Sequence, residues 1–250
     1  MKNQSSKFYN GFADKYDLMI SDKRYNAEIP FFEKIFKEYK VKSILDCACG
    51  TGWHAIKFQE LGFEATGCDI SKDMITKAKS NSSSVDFFQA DFKKLDKSID
   101  KNFDCVICWG NSLSHELEEK DILSALKNMY NALNDKGIVV VQIRNLPILI
   151  KENKRIFPMH FHKEPNGDVK LFIYVLDFCK TKTTYNVISV IESDGVPKFE
   201  VNSSDYRIVS CDELKSLMIK AGFKNLKAYG DFQFTKFNKN SDDIIIIGSR

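Results

Sequence analysis

The chain has 250 residues, 43% of them apolar and 28% charged, with a formal net charge of +3. That length suits one α/β domain carrying a substantial insertion, and the apolar residues are too scattered for the run of about 18 that crosses a bilayer. Lysines are dispersed among acids rather than gathered in a block, which describes a solvated surface and gives no support to a nucleic-acid partner.

The opening stretch MKNQSSKFYNGFADKYD lacks the apolar core of a secretory leader, so a cytoplasmic location is expected. Seven cysteines, odd in number and irregularly spaced, predict free thiols acting as small hydrophobes, with no disulfide framework and no metal site.

In chain order, Ile29, Phe31, Phe32, Ile35 and Phe36 recur at helical spacing and predict a helix over Glu28 to Tyr39, with Pro30 in its first turn. Ser43 to Asp46 reads as a short buried strand that turns, through Gly50 and Gly52, into a helix from Trp53 to Leu61. The alternation continues. Phe63 to Cys68 is a strand, Ser71 to Ser80 a helix with a serine cap, and Val85 to Gln89 a third strand. Phe103 to Cys108 is a fourth strand, Lys120 to Asn134 a helix, and Gly137 to Ile143 a fifth strand. Strands alternating with helices predict a doubly wound, mostly parallel sheet covered on both faces.

After Arg144 the pattern changes. Phe161 to Phe199 holds β-rich runs, Leu171 to Phe178 and Tyr185 to Ile191 among them. Turn signals stand at Pro165-Asn166-Gly167-Asp168 and Ser193-Asp194-Gly195. These predict an antiparallel meander inserted at 146–204 into a domain formed by 1–145 and 205–250. A helix from Cys211 to Ala221 stops at Gly222, and Asp243 to Ile247 returns to strand.

Chemistry concentrates at the strand ends. In ILDCACGTGWHA the two glycines let the backbone approach a ligand closely, although Gly50, Gly52 and Ala55 also satisfy the dinucleotide fingerprint. Asp69 stands where an acid accepts ribose hydroxyls under either cofactor. Asp46 favours S-adenosylmethionine, because a carboxylate beside the loop suits an ammonium and sulfonium and repels a pyrophosphate. Asp91 and Phe92 offer an acceptor and an apolar face for adenine; taken singly they are a helix cap and a core residue. A nicotinamide-dependent oxidoreductase and a non-catalytic nucleotide-binding module are the alternatives of other classes.

With these residues in hand, the chain resembles class I S-adenosylmethionine-dependent methyltransferases, and over most of its length the glycine and sarcosine N-methyltransferase group. The matching segments are CGTGWHAIKFQELGFEATGCDIS, FDCVICWGNSLSH, Arg144-Asn145 and AYGDFQ.

The resemblance implies a Rossmann-like fold with S-adenosyl-L-methionine across the strand ends. Asp69 would meet the ribose, Asp91 the adenine amine, and Ile70 and Phe92 the two adenine faces. Asp46, Cys47, Gly50, Gly52, Met74, Trp109 and Gly110 would complete the cofactor shell, and Arg24 would meet its carboxylate. It also implies a small-molecule amine acceptor, with Asn111 holding the amine through its side-chain oxygen and Arg144 gripping a carboxylate.

Each of these residues has a plainer reading as well, Asn111 as a turn residue and Arg144 as a surface arginine. His115 is a proton relay or a structural histidine. Tyr16 and Tyr206, with Tyr9, Tyr174 and Tyr229, form an aromatic lid. His160 and His162 share one face of an extended segment without a third metal ligand. Where the group continues its arginine segment with Asn, Tyr and Asp, this chain has Asn145-Leu146-Pro147, which leaves the acceptor open, another small or peptide N/O acceptor included. Assembly into a homo-oligomer is also left open.

Overall fold

The computed structural model describes residues 8–9, 12–19, 22–163, 166–193 and 196–250. Of the predicted turn residues, Pro165, Asp194 and Gly195 lie outside these, as does Met1 to Lys7 of the opening stretch.

A seven-stranded sheet forms the body. Its strands are β1 (Ser43–Cys47), β2 (Glu64–Asp69), β3 (Asp86–Gln89), β4 (Phe103–Cys108), β5 (Leu133–Arg144), β10 (Lys224–Tyr229) and β11 (Asp243–Ser249), in the order β10-β11-β5-β4-β1-β2-β3. Strands β1 to β5 run parallel, and β11 pairs antiparallel with both β5 and β10. Alternating side chains divide the core in two. Leu45, Val106, Val139 and Val141 pack under α5 (Glu119–Asn131) and α7 (Cys211–Ala221). On the other face Ile44, Cys105, Ile107 and Val140 meet α2 (Asp22–Tyr39), α3 (Trp53–Glu60) and α4 (Lys72–Asn81).

The helices follow their apolar periods. Ile122, Ala125, Leu126 and Met129 form the buried stripe of α5. In α2, Phe31, Phe32, Ile35 and Phe36 are almost wholly buried, each contributing about 1.5–3 kcal/mol of transfer free energy. Caps agree as well: Ser71 accepts from the Met74 N–H at the start of α4, and Gly222, at φ +112°, closes α7.

Several boundaries differ from expectation. Helix α2 begins six residues before Glu28, at Asp22, so Pro30 lies inside the helix rather than in its first turn. Helix α5 stops at Asn131 instead of Asn134, because Leu133 already pairs with Phe103 and opens β5. Pro147 does not merely stiffen the chain after Arg144: it sits in the first turn of α6 (Leu146–Lys151), where a missing N–H costs nothing.

The segment between β5 and α7 forms a second sheet, an antiparallel meander of β6 (Ile156–Lys163), β7 (Val169–Phe178), β8 (Lys182–Ser193) and β9 (Val196–Arg207). Both outer strands are longer than the sequence pattern indicated. Ahead of α2, the short helix α1 (Ala13–Tyr16) and a 3-10 turn at Asp17–Met19 run between the two sheets. Among the described residues, no helix is long and apolar enough to cross a membrane.

Candidate active site

The carboxyl ends of β1, β2, β4 and β5 converge, the place where ligands of open α/β sheets bind. The loop after β1 is held in left-handed conformations, with φ +60° at Ala48, +57° at Gly50 and +87° at Gly52. The two glycines do different work. A Cβ on Gly52 would lie 2.5 Å from the Phe87 ring, so that glycine permits close packing of α3 and lines neither cavity. Gly50 faces the site, and its N–H donates to Asp69 Oδ2 at 3.0 Å. Asp69 Oδ1 accepts from the Ser71 N–H at 2.8 Å. Burial outweighs these donors and raises the Asp69 pKa above its ordinary value.

Two cavities adjoin at this loop. One is lined by Gly50, Asp69, Ile70, Met74, Asp91, Phe92 and His115. The other, of about 390 Å³, is lined by Arg24, Asp46, Trp109, Gly110, Asn111, Arg144 and Tyr206, among others. Tyr9, Tyr16 and Ala48 line both. The expected site residues therefore reach a cavity wall except Gly52, Cys47 and Tyr229. Cys47 is fully buried in the core under α5, on the opposite face of its strand from the ligand side.

Asp46 is 3% exposed, and its Oδ2 has no hydrogen-bond partner. Burial, reinforced by the nearby Asp69 charge and eased by His54, pushes it up to about 7. A buried carboxyl oxygen without a donor, on the wall of a cavity, can meet a hydrogen-bond donor or a cation there. Asp91 accepts from the Lys93 N–H at 2.9 Å, so its helix-capping role is real as well, and Phe92 packs partly on the core while lining the first cavity.

The second cavity is more aromatic and more strongly networked than its sequence suggested. Glu28, 1% exposed, takes His54 Nε2 at 2.8 Å and Arg24 Nε at 3.0 Å. Burial pushes Glu28 upward, but the His54 hydrogen bond and these two partners' charges hold it below the usual carboxylate range. Tyr25 stacks on Trp53 with centroids 3.9 Å apart. His54 is thus a polar member of the wall. The Arg24–Glu28 spacing of four residues was the readable sign of this network.

From the meander's inner face come Tyr174, Tyr185 and Tyr206, stacked with centroids 5.8 and 5.6 Å apart. Tyr229 is not among them: it packs against Phe31 and Phe234 in the main sheet. Tyr185 takes its place in the wall, and the signal was its alternation with Val187 in a half-buried strand.

Arg144 ends β5 with its guanidinium 4.8 Å from the Phe157 ring. Its backbone N–H donates to Asn111 Oδ1 at 2.5 Å, so the oxygen expected to face an amine already accepts one hydrogen bond from the protein. Asn111 itself stands at φ +70°. The neighbouring Gly110 N–H donates to Gln142 Oε1 at 2.9 Å, and Gln142 Nε2 donates to Asp243 Oδ1 at 2.7 Å.

His115 is tied at both nitrogens, to Tyr9 Oη at 2.9 Å and Ser204 Oγ at 3.0 Å, and burial pushes it down to about 4. Both ring nitrogens are thus engaged within the protein, the arrangement of a structural tie. His162 Nε2 bonds the Leu18 carbonyl at 2.6 Å, Tyr174 Oη donates to the Met19 carbonyl at 3.3 Å, and Thr51 Oγ1 donates to Asp17 at 2.5 Å. The N-terminal segment is thereby strapped over both cavities. Among the described residues, no group of three or more His, Cys, Asp or Glu is arranged to hold a metal ion.

A glycine-turned loop after β1, an acid at the end of β2 and a buried carboxylate with one unpartnered oxygen suit the class that comparison with known proteins supports, an S-adenosylmethionine-dependent methyltransferase. Residues 44–137 match the methyltransferase domain family. More particularly, the chain is similar to glycine/sarcosine N-methyltransferase of Aphanothece halophytica, with 28% identity over 98% of this chain and 90% of the relative. The enzyme of the same name from Halorhodospira halochloris is 29% identical over the same shares. Among solved structures, an S-adenosylmethionine-dependent methyltransferase from Clostridium acetobutylicum superposes with a TM-score of 0.79 at 16% identity, covering 96% of this chain and 98% of that one.

Proposed function

We propose that this enzyme methylates the nitrogen of a small amino acid of the glycine or sarcosine type. The observation that carries the reading is Arg144, fixed by its own backbone bond to Asn111 at the edge of an aromatic cavity that Asp46 also lines. Residues 1–145 and 205–250 would then bind the cofactor and lend Asn111, Arg144 and Tyr206 to the acceptor, whose remaining wall would come from 146–204.

When bound, S-adenosylmethionine supplies a methyl group activated by a positive sulfur. Asp46 would hold its ammonium, Asp69 its ribose, Asp91 its adenine amine between Ile70 and Phe92, and Arg24 its carboxylate. On the acceptor side, the planar fork of Arg144 would grip the carboxylate in two parallel hydrogen bonds. Asn111 keeps a second lone pair with which to orient the amine. The tyrosine column would exclude water and favour a methylated ammonium product over bulk solvent. A neutral amine attacks through its own lone pair, so positioning is the protein's main contribution and no strong base is required.

A second reading, another small N or O acceptor, is favoured by Leu146, an apolar residue that lines the cavity directly beside Arg144. One substitution separates the two. Arg144→Lys keeps the charge but loses the fork, and should lower kcat/KM for a carboxylate acceptor by more than the tenfold of a lost ~1.4 kcal/mol. The decarboxylated amine should not change. Equal losses for both acceptors would show that Arg144 does not read a carboxylate.

A further inference from the structure

The outer face of the meander, remote from the cavities, is apolar across all four strands. On the inner face, Phe172, Tyr174, Leu176 and Val187 are buried. The residues between them point outward. Register places Ile156 beside Val175, Phe161 beside Leu171, Ile173 beside Ile188, and Val190 beside Phe199, with Val201 next to Ile188. Ile156, Phe161, Phe199 and Val201 are 61–70% exposed, and so is Met159 at the bulge of β6. These five side chains present on the order of 600 Å² of apolar surface, and the half-buried central row joins them into one patch. A free monomer seldom shows more, and a standard interface takes roughly 800 Å² from each partner.

We infer that this face is the contact between two copies of the chain, packed sheet on sheet about a two-fold axis. Two observations select a second copy as the occupant. The patch is about the size of one side of a stable dimer interface. Its rim carries mixed, internally paired charges, Arg155 with Asp177 and Lys182 with Asp205, rather than the basic ring that would seek anionic lipid.

The flat, twisted form of the face also suits itself. Two such sheets pack aligned or crossed at about 10 Å with their outer side chains interdigitated, as in a β-sandwich. A two-fold axis makes the patch its own complement, so the large residues of β6 and β9 and the β-branched rows of β7 and β8 occur on both sides.

The test is sedimentation equilibrium on the full chain at about 10 μM, a concentration at which an interface of this size holds. The parent should run at twice the chain mass or a higher even multiple. The double variant Phe161→Asp, Phe199→Asp should run as half the parent's mass while keeping its circular dichroism. Ile219→Asp, which alters an equally exposed apolar residue on α7, should leave the assembly unchanged. A monomeric parent, or a double variant that stays assembled, overturns the proposal, and flotation of a monomeric parent with phosphatidylserine vesicles would point instead to a membrane surface. If the double variant fails to fold, Val201→Lys alone provides the same comparison, with a drop in mass expected and an unchanged mass contradicting the inference.

Discussion

The two sheets of this enzyme build their halves of the site by different means. On the parallel sheet the ligand side is made at strand ends, by a loop in left-handed conformations and by carboxylates whose place follows from strand register. On the antiparallel sheet it is made along the strands, by every second side chain of one face. The first arrangement is local in sequence and fixed by backbone; the second depends on pairings across dozens of residues. Damage should therefore divide: changes at the ends of β1 and β2 should cost cofactor, and changes on the meander should cost acceptor, with Arg144 at the end of β5 siding with the meander.

The largest effect is expected at Asp69, which would hold the ribose and also anchors the loop through Gly50. Asp69→Ala removes charge-assisted bonds worth about 1.5–3 kcal/mol each, so cofactor affinity should fall on the order of 100-fold in calorimetry. The acceptor KM, measured at saturating cofactor, should hardly move. A comparable rise in both would erase the division.

Asp46 comes next. Its carboxyl is raised from an ordinary 3.8 to about 7 by burial, so the folded protein binds a proton there that the unfolded chain gives up, and its contribution to stability declines as pH rises from about 4 to 7. A cation in the site favours the ionised form. Cofactor affinity should thus fall toward tenfold per pH unit below 7, and Asp46→Asn should flatten that dependence while weakening binding at pH 8. An unchanged slope in the variant would remove Asp46 from the ammonium.

Tyr185→Leu, which removes the middle ring of the column, should raise the acceptor KM several-fold with cofactor affinity intact. Isothermal binding and steady-state kinetics on one preparation would show whether the meander acts on the acceptor alone. The smallest effect concerns His115. Because burial holds it at about 4, the kcat profile should have no histidine limb between pH 5 and 8. His115→Gln should leave the shape of that profile unchanged, and a limb lost in the variant would restore the relay.

The same contrast explains what the sequence made legible. The strand–loop–helix alternation, the serine cap of α4 and the acids at strand ends are written in short contiguous stretches, and the structure agrees with them closely. Residues that act through distant partners were harder to read. Nothing local to Asn111 announces that its oxygen takes the Arg144 N–H, 33 residues away. Alternation with Val187 marks Tyr185 as lying on one face of a strand, but only strand pairing decides that this face, and not that of Tyr229, joins the cavity. Cys47 shows the limit of proximity in sequence, since it neighbours Asp46 yet points to the opposite face of the sheet.

The strap formed by residues 8–9 and 12–19 couples the two cavities. It is tied to the loop after β1 through Thr51, to the turn after β4 through His115, and to the meander through His162 and Tyr174. Tyr9 and Tyr16 line both cavities, so any motion that breaks these few hydrogen bonds alters the walls of the two compartments together.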